Sequence, residues 1–194
     1  TDGAKKLYAN WAQTYDESFA LDMAYLLPQE VANTYQKLSQ SGPILGLGAG
    51  TGLVGEALAA LKLGPIDGTD ISADMLGQAQ TKAVYRRLFE GDLNLHLDAE
   101  TGSYAGAVSA GTFTNGHVGP NALAEVLRIL QPGGWAVLSV NSVHWQAMGF
   151  DTVLTRLAPQ IAEVRTLDIA IYGAQARGEH AADRAWLLQI KRAH

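Results

Sequence analysis

Short apolar runs alternate with amphipathic stretches along the chain, and one junction between the two kinds stands out. Residues 44–47 form an apolar run between turn residues, which is typical of a strand buried on both faces. Apolar residues then recur at helical spacing over residues 53–61. Between the two lie Gly48, Gly50 and Gly52, at every second position. The pattern therefore predicts a strand, a glycine turn and a helix in immediate succession.

The same alternation continues to the end of the chain and predicts an α/β protein. Glycine, proline or polar residues separate each apolar run from the amphipathic stretch that follows it. This order implies a doubly wound, mostly parallel sheet in three layers, with helices on both faces. We expect seven strands near residues 44–47, 64–71, 84–89, 104–110, 135–140, 164–172 and 185–190, and helices near 53–62, 72–83, 122–130 and 148–157.

The first part of the chain, residues 1–42, reads as helical and precedes this repeat. Its aromatic residues Tyr8, Trp11 and Tyr15 follow helical spacing and therefore share one face. That face could pack on the core, which composition by itself favours, or it could close as a lid over a ligand. We carry both alternatives forward.

Length and charge narrow the classes of protein. A chain of 194 residues is long enough for one α/β domain, and no shift in composition marks a boundary inside it. We therefore predict one domain, residues 1–194, with an N-terminal helical lid at 1–42 and the core at 43–194. The formal net charge of −5 argues against a nucleic-acid partner, which normally meets a basic face.

The sequence carries no signal for targeting or for metal binding. No apolar run approaches the roughly 20 residues that cross a bilayer, and no basic-then-apolar leader opens the chain. The lack of cysteine removes disulfides, thiolate metal sites and cysteine nucleophiles. The five histidines show no metal-ligand spacing with an acidic partner. We expect a cytoplasmic protein, a monomer or homodimer, with no metal, membrane or nucleic-acid partner.

The glycine turn is the first candidate for a binding site. Glycine lets a ligand approach the main chain closely, and the helix N-terminus behind the turn offers unpaired N–H donors. Such a turn suits a ligand with an anionic or acceptor-rich end, although a tight turn that binds nothing has the same pattern. Ligands of doubly wound sheets bind outside the C-terminal ends of the strands. This rule selects the loops at residues 48–52, 70–72, 91–93 and 111–119.

Two carboxylates follow predicted strands in these loops. Asp70 comes after the second strand, where a carboxylate can accept hydrogen bonds from both hydroxyls of a ribose. The alternative is an aspartate that flanks or caps the next helix, whose N-cap we expect at Ser72. Asp92 comes after the third strand, where it can accept from the exocyclic amine of adenine while Leu93 packs on the ring. The alternative for Asp92 is an Asx turn.

These motifs together resemble the class I S-adenosylmethionine-dependent methyltransferases that act on small molecules. Residues 44–52, which end in the turn G-A-G-T-G, are similar to the first motif of that family. Residues 70–76, D-I-S-x-x-M-L, are similar to the second motif, and residues 91–93, G-D-L, to the third. Residues 127–134, L-x-x-L-x-P-G-G, are similar to a later structural motif. The opening W-A-x-x-Y-D at residues 11–16 is also similar to that of small-molecule enzymes of this class.

The resemblance implies a Rossmann-like fold in which the last strand is inserted antiparallel into the seven-stranded sheet. It also implies S-adenosyl-L-methionine as the cofactor, with the acidic residue of the second motif on the ribose and the third motif around the adenine. The residues that it places at the cofactor are Tyr15, Gly48, Ala49, Gly50, Gly52, Asp70, Ile71, Met75, Asp92, Leu93, Ala110 and Gly111.

One position departs from the pattern of the family. These methyltransferases commonly have an acidic residue near the end of the first strand, where it helps to organise the loop around the methionine end of the cofactor. This chain has Gly46 there. The departure leaves the predicted fold intact and bears on cofactor affinity, so a weakened or degenerate methyltransferase is an alternative.

The resemblance further implies in-line attack by an acceptor atom on a sulfonium methyl group, with the protein aligning the two partners. An acceptor that carries a proton needs a base, and the loop after the fourth strand offers candidates. In that loop, Asn115 and His117 can orient or polarise the acceptor, and Phe113 can line its pocket. His144, which follows the fifth strand, is the second candidate base. His117 is equally compatible with a loop histidine bonded to the backbone. We expect a small, partly apolar acceptor.

Two rival functions use the same residues. A nicotinamide-dependent oxidoreductase would use Gly50, Gly52, Gly55 and Asp70, since Gly50 to Gly55 formally matches the dinucleotide fingerprint G-x-G-x-x-G. Its first glycine falls late after the strand, and little chain remains for a substrate domain. A non-catalytic protein that binds S-adenosylmethionine or S-adenosylhomocysteine is the second rival, and Gly46 motivates it.

Overall fold

The structure is a computed structural model that describes residues 24–39, 42–178 and 180–194. Its strands are β1 (Ile44–Leu47), β2 (Ile66–Asp70), β3 (Tyr85–Glu90), β4 (Tyr104–Phe113), β5 (Leu130–Asn141), β6 (Ile161–Ala170) and β7 (Arg184–Arg192). Its α-helices are α1 (Leu27–Leu38), α2 (Leu53–Ala60), α3 (Ala73–Thr81), α4 (Leu123–Ile129), α5 (Ser142–Met148) and α6 (Phe150–Leu157). Short 3-10 turns, Pro120–Ala122 and Ala158–Gln160, precede α4 and β6.

The strands form one sheet in the order β3-β2-β1-β4-β5-β7-β6. Neighbours from β3 to β5 are parallel, whereas β7 is antiparallel to both β5 and β6. This confirms the predicted mostly parallel seven-stranded sheet with the last strand antiparallel. The chain winds outward from β1 to β3 and then returns to β4 on the other side of β1. The winding direction therefore reverses between the C-terminal ends of β1 and β4, at the switch point where such sheets bind ligands.

Helices cover both faces of the sheet, each face with its own apolar core. Because side chains alternate along a strand, Ile44 and Leu45 of β1 enter opposite cores. Residues of α1 and α2 pack on the Ile44 side, and residues of α4, α5 and α6 pack on the Leu45 side. Both side chains are fully buried, which explains the continuous apolar run at residues 44–47.

Three element boundaries differ from the expectations. The loop expected from residue 111 starts later, because β4 continues to Phe113 and pairs there with β5. The start of β5 expected near residue 135 is too late, because Leu130 already pairs with the start of β4. The helix expected over residues 148–157 is α6, which begins at Phe150, whereas α5, which ends at Met148 with Gly149 as its C-cap, was not expected. Gly149 has a φ of +69°, and this left-handed conformation terminates a helix.

The aromatic face of Tyr8, Trp11 and Tyr15 lies outside the described residues, so the lid stays a prediction. The place where the chain enters the fold is nevertheless fixed. Tyr25 forms an isolated bridge with Tyr172 beyond β6, and the N–H of Gly173 donates to the Ala24 carbonyl at 3.0 Å. Ala24 and Tyr25 therefore lie next to the loop between β6 and β7.

A buried carboxylate joins β2 to two other strands. Asp67 is 2% exposed, and its oxygens accept hydrogen bonds from Arg86 of β3 at 2.9 and 2.6 Å. The hydroxyl of Tyr104, at the start of β4, donates to Asp67 Oδ2 at 2.8 Å. Burial raises the pKa of Asp67, but the hydrogen bonds from Arg86 and Tyr104 and the charges of Arg86 and Arg87 outweigh burial and leave the pKa lowered. The ionised carboxylate therefore holds three strands together.

Candidate functional site

The glycine turn after β1 adopts a conformation that glycine takes more readily than any other residue. Gly48, Gly50 and Gly52 have φ angles of +62°, +55° and +101°. A side chain at Gly48 would overlap Thr112 near the end of β4, so the glycine turn and the end of β4 touch there. A Cβ at Gly50, by contrast, would meet no atom of the described chain within 4 Å. The space beside Gly50 is therefore open to a ligand.

Asp70, at the end of β2, is fastened to this turn and to the start of α3. Its Oδ2 accepts from the N–H of Gly50 at 2.8 Å, and its Oδ1 accepts from the N–H of Ser72 at 2.9 Å. Burial raises the pKa of Asp70, and the backbone N–H groups of Ser72, Gly50 and Ile71 lower it by less. A carboxylate oxygen can accept more than one hydrogen bond, so both oxygens retain acceptor capacity. The structure thus brings Asp70 to the glycine turn.

The residues after Asp70 divide between the surface and the core. Ser72 caps α3, since its Oγ accepts from the N–H of Met75 at 3.3 Å, and this confirms the predicted cap. Ile71 is 47% exposed beside Asp70, whereas Met75 is buried. Ile71 therefore offers an apolar surface next to the carboxylate, whereas Met75 is part of the interior.

The loop after β3 lies beside Asp70, because the N–H of Gly91 donates to the Asp70 carbonyl at 2.9 Å. Within this loop, Asp92 Oδ1 accepts from the backbone N–H and the side-chain amide of Asn94, at 2.8 and 3.0 Å. The Asx turn, the alternative for Asp92, is therefore present. It engages one carboxylate oxygen and orients the other, while Leu93 is buried in the core on the Leu45 side.

Gly111, near the end of β4, lies between two residues that the sequence did not single out. Its N–H donates to Ser139 Oγ of β5 at 2.9 Å. Its φ is +82°, and a side chain there would overlap the hydroxyl of Tyr25. Ala110, just before it, packs against the core on the Ile44 side. Ser139 could have been noticed in the sequence, because it is a polar residue inside the apolar run of β5. Tyr25 could not, because only the fold brings it to β4.

His144, on α5, is 3% exposed and spans the loop after β4. Its Nδ1 lies 3.2 Å from Asn115 Oδ1, and its Nε2 lies 2.9 Å from the Val118 carbonyl. A neutral imidazole donates from one nitrogen only, so when Nε2 donates to Val118, the Asn115 amide must turn its NH2 group towards Nδ1. Phe150 packs edge-on against the imidazole, with 5.7 Å between ring centroids. The structure thus joins Asn115 to His144 and buries the imidazole.

His117 belongs to the same loop and is exposed. Partial burial of its ring lowers its pKa, and the charge of His144 lowers it further. A histidine with a lowered pKa is neutral near pH 7 and can accept a proton. Phe113, which we expected to line the acceptor pocket, is instead fully buried and packs edge-on against Phe150. That expectation is wrong because the extension of β4 carries Phe113 into the core.

A surface cavity of about 730 Å³ lies apart from these residues, under the loop between β3 and β4. Arg87, Asp98, Thr101 and Arg128 contribute to its lining. The charges there already neutralise one another; Arg87, for example, lies 2.6 Å from Asp98. The cavity shares no lining residue with the glycine turn or Asp70, so we place the candidate site at the switch point.

Within residues 24–39, 42–178 and 180–194, no three histidine, aspartate or glutamate side chains form a group that could hold a metal ion. In the same part of the chain, no helix is both long enough and apolar enough to cross a bilayer.

Residues 44–134 match a family model described as a methyltransferase domain. The matched stretch contains the glycine turn, Asp70, Asp92 and Gly111, which the structure gathers around the switch point. A search of curated proteins finds no significant match.

Solved structures share the fold at low sequence identity. A TehB-like SAM-dependent methyltransferase from Corynebacterium glutamicum aligns with a TM-score of 0.68 at 20% identity, over 99% of this chain and 100% of its own. A protein from Methanococcus maripaludis assigned as an S-adenosylmethionine-dependent methyltransferase aligns with a TM-score of 0.69 at 18% identity, over 98% of this chain and 94% of its own. A SAM-dependent methyltransferase from Thermotoga maritima, a candidate histamine N-methyltransferase, aligns with a TM-score of 0.65 at 17% identity, over 97% of this chain and 99% of its own.

Proposed function

We propose that this protein methylates a small-molecule acceptor by in-line displacement, because residues 44–134 match a methyltransferase-domain model and the chain shares its fold with solved S-adenosylmethionine-dependent methyltransferases. One observation carries the proposal. An open, left-handed glycine turn is hydrogen-bonded to Asp70 at the point where the winding of the sheet reverses. The net charge of −5 supports a small acceptor over a nucleic acid.

The residues at the switch point fit S-adenosylmethionine. The open space beside Gly50 admits the ligand to the main chain of the turn. Asp70 retains acceptor capacity on both oxygens for the ribose hydroxyls, and Ile71 offers an exposed apolar surface beside it. The second oxygen of Asp92 can accept from the exocyclic amine of the adenine, because the Asx turn to Asn94 uses the first. We assign these residues to the cofactor on that basis.

When bound, S-adenosylmethionine supplies a methyl group activated on a sulfonium. The residues of the loop after β4 would orient the acceptor and take its proton. His117 is exposed and has a lowered pKa, so near pH 7 it is neutral and suited to accept that proton. Asn115 is held by His144 and can orient the acceptor, while His144 itself supports the loop from the core. We therefore rank His117 above His144 as the base.

Residues 1–20 are proposed to close over the acceptor as a lid. The support is the entry point of the chain, since the hydroxyl of Tyr25 stands where a side chain of Gly111 would lie, at the end of β4. Tyr25 therefore lies beside the proposed acceptor site. Closure would exclude water and hold the acceptor near the sulfonium methyl. Proteolysis of residues 1–20 should slow when cofactor is added, and equal cleavage with and without it would contradict the lid.

Titration calorimetry with S-adenosylhomocysteine and with NAD tests the proposal against the oxidoreductase. We expect binding of S-adenosylhomocysteine and none of NAD; the reverse result would overturn the proposal. Labelled methyl transfer to a panel of small amines, thiols, phenols and arsenite then tests catalysis. Because Gly46 stands where an acidic residue is common, binding without transfer across the panel would favour a non-catalytic binding protein.

Replacing Gly50 by alanine tests the open turn. The new methyl group would stand in the space that the ligand must enter, so we expect at least an about tenfold loss of affinity for S-adenosylhomocysteine. Gly133→Ala is the matched control, because Gly133 has a φ of +76° and lies at the start of β5, at the opposite edge of the sheet. Both variants carry about 1–2 kcal/mol of backbone strain. Calorimetry and thermal melts should show similar melting temperatures and a loss of binding only in Gly50→Ala.

Replacing Gly46 by aspartate tests the departure from the family pattern. Gly46 is buried, yet a Cβ there would lie 3.6 Å from the Asp67 carbonyl and 3.8 Å from Val54 Cγ1, which are ordinary contact distances. Gly46→Ala should therefore fold normally and serves as the control for volume. We expect Gly46→Asp to bind S-adenosylhomocysteine about three- to tenfold more tightly, through a charge-assisted hydrogen bond to the turn.

The melting temperature of Gly46→Asp decides what a failure to bind more tightly means. A melting temperature well below that of Gly46→Ala would show that the new carboxylate is buried without a partner. A variant that melts normally but binds no better would contradict the prediction and show that another group already fills the role.

A further inference from the structure

The loop between β3 and β4, residues 91–103, carries Asp92 and Leu93 and is anchored to the rest of the fold at several places. At its start, the N–H of Gly91 donates to the Asp70 carbonyl. Further along, Leu97 is fully buried, and the Glu125 carboxylate of α4 accepts its N–H at 2.7 Å through Oε1. A charged acceptor makes a stronger hydrogen bond than a neutral one, so this contact holds Leu97 firmly to α4.

Glu125 is in turn held by Arg128, one turn later on the same helix. Arg128 Nε donates to Oε2 at 2.8 Å and Nη2 donates to Oε1 at 2.6 Å, in a bidentate pair that is mostly buried. The same guanidinium also donates to the Leu97 carbonyl at 3.3 Å and to Thr101 Oγ1 at 3.2 Å. The pair therefore holds both sides of Leu97 and a second point of the loop. Burial raises the pKa of Glu125, but the hydrogen bonds from Arg128 and Leu97 outweigh it, so the pKa is lowered and the carboxylate is ionised near pH 7.

A short, internally bonded stretch connects this anchor to Asp92. The Asp92 side chain accepts from the N–H of Asn94, and the Asp92 carbonyl accepts from the N–H of Leu95 at 2.9 Å. These bonds make residues 92–95 a compact turn with Leu97 just beyond it. A change in the position of Leu97 therefore moves the turn and the free oxygen of Asp92, while the glycine turn and Asp70 keep their own contacts.

We propose that Glu125 is a positioning residue for recognition of the adenine ring, acting through the N–H of Leu97 to hold the Asp92 carboxylate where it accepts from the exocyclic amine. The inference rests on the proposed function, because it requires a bound adenine nucleoside. It goes beyond that function by assigning base selectivity to a residue of α4, on the far side of the loop from the ligand. It also gives the buried Glu125–Arg128 pair a function at the site.

The test is the ratio of two affinities, measured by calorimetry on the whole chain. S-adenosylhomocysteine carries the exocyclic amine, whereas S-inosylhomocysteine has a carbonyl in its place, which would face the Asp92 carboxylate. The wild-type protein should prefer the adenine ligand by about tenfold or more, since a carboxylate that the bound ligand covers without donating to it is penalised. A loss of overall stability lowers both affinities together, so it does not move the ratio.

Three variants separate the length of the Glu125 side chain from its charge. Glu125→Asp keeps the charge but is one methylene too short to reach Leu97, and Glu125→Ala removes the side chain; both should bring the ratio to within about threefold of one. Glu125→Gln keeps an acceptor within reach of Leu97 and should retain most of the preference. Glu163→Ala is the control, because it breaks a comparable ion pair with Arg165 on the exposed strand β6. If Glu125→Ala does not fold, Glu125→Asp and Glu125→Gln decide the matter.

The outcomes distinguish this inference from the proposed function. A wild-type protein that does not bind S-adenosylhomocysteine fails the proposed function, and the inference falls with it. A wild-type protein that binds both ligands equally overturns the inference alone. An unchanged ratio in Glu125→Asp overturns it too, and Glu125 is then only a structural contact.

Discussion

Replacing Asp70 by alanine should lower the affinity for S-adenosylhomocysteine by roughly 30- to 1000-fold. The variant loses up to two charge-assisted hydrogen bonds to the ribose, each of about 1.5–3 kcal/mol before water compensates. It also releases the N–H groups of Gly50 and Ser72, which the carboxylate holds at 2.8 and 2.9 Å. Asp74→Ala, which removes the same charge from an exposed position in the first turn of α3, should bind normally.

A thermodynamic cycle separates loss of the ribose contact from loosening of the turn. The 2′-deoxy analogue of S-adenosylhomocysteine lacks one of the two hydroxyls. If Asp70 binds that hydroxyl, its removal weakens binding to the wild-type protein and has little further effect on Asp70→Ala. Equal effects of the missing hydroxyl in both proteins would show that the carboxylate only shapes the turn, and unchanged affinity in the variant would remove Asp70 from the site.

If Asp70 binds the ribose as proposed, cofactor affinity should depend on pH. Only the ionised form accepts from both hydroxyls, and burial raises the pKa of Asp70. Affinity should therefore fall, as the solution is acidified, at a higher pH than for an ordinary aspartate. In the ligand-free protein a raised folded-state pKa has the opposite sign for stability. The contribution of Asp70 is fully present below its unfolded-state pKa and is lost as the pH rises through the folded-state value.

Replacing Asp67 by asparagine should destabilise the folded protein by about 2–4 kcal/mol, or roughly 4–16 °C in melting temperature for a domain of this size. The variant keeps the shape of the side chain but loses the charge that pairs with Arg86 and accepts from Tyr104. The estimate is below the about 3–5 kcal/mol of a fully buried pair, because the Arg86 side chain is 53% exposed and can turn to water. Even so, it is a large part of the about 5–15 kcal/mol that separates folded from unfolded domains.

Asp98→Asn is the matched control for Asp67→Asn. Asp98 pairs with the neighbouring arginine, Arg87, at the same distance of 2.6 Å, but its side chain is 86% exposed. Water screens that pair, so its loss should cost about 0–1 kcal/mol. Urea denaturation of the two variants measures the effect of burial, because both substitutions remove the same charge from an aspartate paired with an arginine. Equal stability of the two variants would contradict the structural role of Asp67.

The effect of Asp67 should also disappear in acid. A carboxylate whose folded-state pKa is lowered stabilises the protein above its unfolded-state pKa, and this contribution is lost as the pH falls through the folded-state value. The difference in stability between the wild-type protein and Asp67→Asn should therefore be constant near neutral pH and shrink below about pH 4. A difference that persists unchanged in strong acid would mean that shape, and not charge, explains it.

The sequence by itself determined the features that depend on neighbours along the chain. Gly48, Gly50 and Gly52 predict a tight turn, and in the structure they adopt the left-handed backbone that a side chain disfavours. The apolar runs on either side predict the strand and the helix that the turn joins. Ser72 is recognisable as a cap because its partner, Met75, lies one helical turn away. The alternation of strands and helices predicts the sheet. The rule that ligands bind outside the C-terminal ends of its strands selects the loops that carry Asp70 and Asp92.

Tertiary structure decided which of several local roles each residue takes and which distant residues complete the site. Asp92 forms an Asx turn, Phe113 enters the core, and His144 is buried against the loop after β4, although the sequence also allowed each of them a direct role in binding or catalysis. The hydroxyl of Tyr25, the Oγ of Ser139 and the Glu125 carboxylate were not predicted, because each meets its partner only through strand register or helix packing. Such contacts leave no periodic trace in the sequence, since periodicity reports which face of an element is buried and not which residue of another element lies against it.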